Sequence, residues 1–117
     1  MTRDEVLALK PGRELDARVA EKVMGYTTHG QFLEKNGVRV MIDRYSTDIA
    51  AAFEVWEHDR PKKWNFDLCY SDGTYLAEIY KPDDVIGVRI LAQVESKSAA
   101  EAMVKCRLLA LEGGEGE

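Results

Sequence analysis

The pattern of apolar and polar positions predicts a helix near the middle of the chain, over residues 45–60. Ser46 or Thr47 is expected to cap its start, and Asp48 would follow in the first turn, where the helix dipole favours negative charge. The apolar residues of this segment recur every three or four positions and so share one face, which comprises Ile49, Ala52, Phe53 and Trp56. We therefore expect this face to pack on a sheet.

The remaining segments alternate between strand-like and helix-like patterns. Asn36-Gly37 and Asp72-Gly73 each separate two strand-like runs, as is typical of hairpin turns. Residues 26–30 form a polar segment that is expected to be a loop. The pattern predicts helices over 2–9, 13–24, 45–60 and 98–111, and strands over 31–35, 38–43, 64–70, 74–81 and 86–94. It thus indicates a single α/β domain of the α+β kind over residues 1–112, with about five mostly antiparallel strands, and a flexible tail over 113–117.

The last helix carries more apolar residues than a helix with one covered face requires. Its main stripe is widened by Val104, Leu108 and Leu111, which predicts that a second side is also covered. A patch of this kind on a monomer usually marks an interface, so we expect a homo-oligomer.

Composition and charge narrow the function. The net charge of −5 argues against general nucleic-acid binding, which needs a basic surface. No apolar run is long enough to span a membrane, and the first residues lack the apolar core of a signal peptide, so a cytoplasmic location is expected. Two isolated cysteines without a nearby histidine predict no metal site, and nothing predicts a cofactor.

Sequence signatures of catalysis are absent. The chain has no GxSxG, HExxH, Walker or GxGxxG motif and no reactive-cysteine context, and both histidines lie in polar, loop-like segments. Several aspartates fall in predicted turns, where turn formation alone explains them. We therefore expect a protein that is not an enzyme.

The most suggestive polar group is Arg44-Tyr45-Ser46-Thr47, at the start of the central helix. Free amide groups at a helix start bind anions, an arginine adds a bidentate charged contact, and a tyrosine offers a face for stacking. The four residues are thus candidate contacts for an anionic, nucleotide-like ligand. The competing interpretation is that Ser46 or Thr47 only caps the helix. Further cations, Arg60, Lys62 and Lys63, lie at the far end of the same helix.

Three segments carry a resemblance to a known family. Residues 9–25 (LKPGRELDARVAEKVMG) and 45–57 (YSTDIAAAFEVWE) resemble the first two motifs of the phage ABA-sandwich domain family, and residues 99–111 resemble its closing helix. The resemblance implies a small protein encoded by a phage or prophage, with a sheet between helical layers. It implies no catalytic residues.

Two functions remain open. The first is a non-enzymatic phage protein that captures a host molecule, such as a nucleotide-like immune signal, and so acts against host defence. The alternative is a structural or interaction module that binds a host or phage protein and takes no small ligand.

Overall fold

The computed structural model describes the backbone of residues 2–114 and the side chains of residues 2–111. These residues form an α+β fold of four helices and two three-stranded antiparallel sheets. The helices are α1 (Arg3–Ala8), α2 (Arg13–Lys22), α3 (Ile49–Glu57) and α4 (Ala99–Gly114), and the strands are β1 (Thr27–His29), β2 (Phe32–Lys35), β3 (Val38–Met41), β4 (Asn65–Ser71), β5 (Thr74–Asp83) and β6 (Gly87–Ser96).

The first sheet has the order β1-β2-β3 and contains a strand that the sequence did not predict. Asn36 and Gly37 both have positive φ, at 55° and 78°, so the expected two-residue turn between β2 and β3 is confirmed. The segment predicted as a polar loop instead pairs with β2, with Thr28 opposite Leu33. Backbone hydrogen bonds hold this short edge strand without an apolar pattern. The prediction of about five strands is therefore wrong, since six strands form two sheets.

The second sheet, in the order β4-β5-β6, contains an irregularity that reverses one of its faces. Ile79 pairs with Ala92 but Tyr80 pairs with Ile90, so Leu91 is the extra residue of a β-bulge. An extra residue switches the alternation of side chains between faces. Ala92 therefore lies in the core, whereas Ile90 and the other apolar residues before the bulge are exposed.

Helix α4 is the centre of the molecule. It packs on β5 and β6, while α1, α2 and α3 pack against it from other directions. Val104 and Leu108 are fully buried by these helices within one chain. Leu111 is half-buried against the core, so the three residues form no exposed patch, and that reason for expecting a homo-oligomer is wrong.

Helix α3 begins later and faces differently from what its pattern predicted. Asp48, rather than Ser46 or Thr47, is the N-cap, and its carboxylate accepts from the amides of Ala50 at 2.9 Å and Ala51 at 3.5 Å. Ala52, Val55 and Trp56 are buried. Ile49 and Phe53, predicted to lie in the core, are 48% and 47% exposed, because α3 packs mainly on α4 and presents only a narrow stripe to it.

Candidate functional site

The four residues of the predicted ligand site do not share one surface. Tyr45 is 1% exposed and Ser46 is fully buried, whereas Arg44 and Thr47 are exposed. Burial raises the pKa of the Tyr45 phenol, and the nearby Asp43 carboxylate raises it further. A ring enclosed in the core is inaccessible for stacking on a ligand. The structure therefore gives Tyr45 a role in packing. The predicted contact between its ring face and a ligand is wrong, because the ring is buried.

Ser46 belongs to a buried network that joins two parts of the chain. Its hydroxyl donates to the Asp16 carboxylate at 2.6 Å and accepts from the Gly12 amide at 2.8 Å. Its backbone amide donates to the same carboxylate oxygen at 2.8 Å. The network ties the segment before α3 to the start of α2, so Ser46 is a structural residue rather than a ligand contact.

The backbone amides at this point are also occupied. Besides the Ser46 amide, those of Thr47 and Asp48 donate to the carbonyl of Arg44 at 3.2 and 2.8 Å. The amides of Ala50 and Ala51, in the first helical turn, donate to the Asp48 carboxylate. A helix start binds an anion through amides that have no internal partner. The amide half of the predicted anion site is thus already used by the protein.

Arg44 and Thr47 remain accessible in a groove of about 330 Å³. Its walls come from the start of α2, the β1–β2 turn and the end of β3, and include Arg13, Asp16 and Gln31. Asp16 already binds Ser46, so two arginines are the charged groups left to meet a ligand. The groove therefore contains two of the four residues of the predicted site, Arg44 and Thr47.

A larger cavity, of about 570 Å³, lies at the opposite end of α3. We call it the basic cleft. Its lining combines five cations with one carboxylate and a few apolar residues, namely Lys22, Lys62, Lys63, Lys81, Arg107, Asp59, Val23, Pro61, Trp64 and Leu111. Its formal charge is +4 in a chain of net charge −5, so the other residues together carry −9. A concave, locally positive surface on an acidic protein attracts small anions and focuses the field on them.

Arg107 and Trp64 form the rigid wall of the basic cleft. Both are largely buried, at 4% and 7% exposure. The guanidinium carbon of Arg107 lies 5.2 Å from the centre of the Trp64 ring, and its Nη2 donates to the His58 carbonyl at 3.2 Å. The Trp64 amide donates to the Pro61 carbonyl at 3.0 Å, which fixes the turn that carries Lys62 and Lys63. The cleft therefore offers positive charge on a preformed framework.

Only part of this cleft is visible in the sequence. The basic run around Lys62 and Lys63 was visible, but the other cations come from the end of α2, from β5 and from α4. Residues so far apart in sequence meet only through the tertiary fold. Among the side chains of residues 2–111, no group of three or more histidine, cysteine or acidic residues is arranged to hold a metal ion. No helix within residues 2–114 is long and apolar enough to cross a membrane.

Comparison with known proteins places the fold in a family. The family model described as the phage ABA sandwich domain matches residues 17–106, which is most of the chain. The chain belongs to the phage ABA sandwich domain family. A crystal structure of a phage protein from Bacillus cereus ATCC 14579 is similar to this ABA-sandwich protein, with a TM-score of 0.66 and 25% identity over 88% of this chain and 93% of the other. No curated protein matches it.

Proposed function

We propose that this phage ABA-sandwich protein is a non-enzymatic binding protein that captures an anionic, nucleotide-like small molecule in the basic cleft. The observation that carries the proposal is the meeting of Lys22, Lys62, Lys63, Lys81 and Arg107 around one cavity. Cavities of this size are typical of small-ligand sites. The acidic remainder of the chain would repel a long polyanion such as nucleic acid, which favours a small ligand.

Membership of a phage family supports a role in the infected host. A phage protein acting in the host cytoplasm gains by removing a host signal, and capture without turnover needs only affinity and a sufficient amount of protein. We therefore propose sequestration of a nucleotide-like immune signal as the biological role. No cofactor is required for capture of this kind.

Titration calorimetry with AMP, ATP and inorganic pyrophosphate tests the proposal. The double variant Lys62→Ala/Lys63→Ala should weaken binding of each anion by about tenfold or more, the scale of one lost charged hydrogen bond. The control Arg39→Ala/Lys97→Ala removes the same charge from exposed positions outside the cleft. Equal losses of affinity in the two double variants would show that overall charge, rather than the cleft, governs binding. Failure of the native protein to bind any of the anions would overturn the proposal. Unchanged nucleotide after long incubation is the expected result for a protein that is not an enzyme.

A second candidate function rests on a different surface, the apolar end of the β5–β6 hairpin. Val85 is 91% exposed and Ile86 68%, and Val88 and Ile90 are about half exposed. Exposed apolar patches of this kind mark interaction sites. This surface favours an interaction module that binds a phage or host protein, or a second copy of the chain, without a small ligand. A light-scattering mass of 13.2 kDa at micromolar concentration would exclude the homo-oligomer.

A further inference from the structure

A second cavity opens directly beside the basic cleft. It has a volume of about 380 Å³, and Lys63 and Lys81 line both cavities. The remaining lining comes from the end of β5, the β5–β6 turn and the start of β6, namely Pro82, Asp83, Asp84 and Arg89. We call it the side pocket. Because two lysines face both spaces, a ligand held in the cleft can extend past them into the side pocket.

The side pocket differs from the cleft in its chemistry. It adds two carboxylates and one guanidinium to the shared lysines, so it is mixed in charge rather than basic. Its polar groups include strong hydrogen-bond acceptors, which the cleft has only in Asp59. Its formal charge is +1, against +4 for the cleft, so it attracts a phosphate less than the cleft does, while its carboxylates can accept from a group with several hydroxyls.

The two carboxylates of the side pocket have different tasks. Asp83 Oδ1 accepts from the amides of Val85 at 2.8 Å and Ile86 at 3.0 Å, and its Oδ2 lies 3.4 Å from Arg89 Nη2. These hydrogen bonds lower the pKa of Asp83, which organises the β5–β6 turn. Asp84 is the next residue, is exposed and lines the same pocket. Asp83 thus holds the turn, and Asp84 is placed to meet a ligand.

We infer that the ligand is a phosphate ester of a polyhydroxyl group, such as a ribonucleotide. Its phosphate binds in the basic cleft, and its sugar hydroxyls donate to Asp84 in the side pocket. This inference rests on the proposed function and adds the hydroxyl-bearing part of the ligand and the residue that recognises it. It gives Asp84 a role in specificity, because a carboxylate accepts from hydroxyls and repels plain anions.

The substitution Asp84→Ala separates these two effects by sign. Titration calorimetry is carried out with AMP, ribose 5-phosphate and inorganic pyrophosphate, on the native protein and the variant. Binding of AMP and ribose 5-phosphate should weaken about tenfold, because each loses a hydrogen bond to a charged acceptor. Pyrophosphate has no sugar hydroxyl, so its binding should be unchanged or tighter once a nearby negative charge is gone.

The control variant is Glu95→Ala, which removes an exposed carboxylate of β6 that lines neither cavity. It changes the net charge equally, so it should leave the ratio of AMP to pyrophosphate affinity as in the native protein. Unfolding midpoints of both variants verify that the fold is intact.

The results distinguish the inference from the function on which it rests. If Asp84→Ala tightens AMP and pyrophosphate alike, or leaves AMP unchanged, the inference is overturned while anion binding in the cleft stands. If no probe binds the native protein, both are overturned. A comparison of AMP with ribose 5-phosphate then identifies the source of the hydroxyls, since equal affinity indicates a sugar phosphate and tighter AMP binding indicates a nucleotide.

Discussion

At the scale of single residues, Ser46 and Thr47 are neighbours with opposite roles. Ser46 is buried between Asp16 and Gly12, while Thr47 is exposed. Ser46→Ala should lower the free energy of unfolding by about 1–3 kcal/mol, because it leaves the Gly12 amide without its acceptor and removes a hydrogen bond to a charged group. Thr47→Ala should change the free energy of unfolding by at most about 0.5 kcal/mol. Urea unfolding measures both, and a larger loss at Thr47 would contradict the network.

The aromatic residues of α3 provide a second comparison. Trp56 is 4% exposed, and its Nε1 donates to the Met103 carbonyl at 2.7 Å. Phe53 is 47% exposed and meets Trp56 edge-on, with ring centres 6.3 Å apart. Trp56→Ala should cost about 3–5 kcal/mol, the usual range for a core aromatic residue. Phe53→Ala should cost about 1–2 kcal/mol, because half of its side chain is already in water. Chemical denaturation measures the free energy of unfolding of both variants. Equal losses in the two would show that Phe53 is buried in solution, for example by a partner.

At the scale of elements, the start of α3 depends on Asp48. Asp48→Ala should destabilise the protein by about 1 kcal/mol, because the amides of Ala50 and Ala51 lose their acceptor. Asp48→Ser, which keeps a capping oxygen, should recover most of the loss. Thermal unfolding of the two variants measures the difference. A serine variant as unstable as the alanine variant would show that the carboxylate acts through charge rather than capping.

Predictions of the other elements succeeded where local chemistry decides the structure. The turn at Asn36-Gly37 forms as predicted, and the first predicted helix begins with a capping box of Thr2 and Glu5, because each feature depends on residues close in sequence. The apolar residues of the predicted strand over 86–94 do not share one face, because a bulge at Leu91 interrupts the alternation of side chains. A bulge depends on pairing with another strand, and a strand's own pattern does not encode it.

At the scale of the whole molecule, burial in the core predicts sensitivity to alkali. Burial raises the pKa of the Cys106 thiol from about 9 to about 12, and burial also raises that of the Tyr45 phenol. Both groups therefore lose protons first in the unfolded chain, which favours unfolding as pH rises. From about pH 9 to about pH 12, the thiol alone should lower the free energy of unfolding by about 1.4 kcal/mol per pH unit.

Cysteine variants test this slope. Cys106→Ala should flatten the decrease in unfolding free energy between pH 9 and 10, whatever its effect on stability at pH 7. Cys69→Ala removes the exposed thiol and serves as the control. Urea unfolding at several pH values gives both slopes. An identical slope in the Cys106 variant and the native protein would show that the buried thiol is not linked to folding.

The candidate sites also differ in how far the sequence revealed them. Arg44 and Thr47 were predicted from their place at a helix start, and the structure leaves both exposed. The basic cleft draws Lys22, Lys81 and Arg107 from three distant elements. No local pattern distinguishes these cations from the other charged residues of an acidic chain.

The sequence by itself determined the helices, the two tight turns and the family, since caps, turn residues and motifs act over a few neighbouring positions. Tertiary structure decided which faces are covered. It buried Val104 and Leu108 within the chain, left Phe53 half exposed, and enclosed Tyr45 and Ser46. Burial is a property of the packed molecule, because the free energy of removing a side chain from water depends on the elements that close over it rather than on its neighbours in sequence.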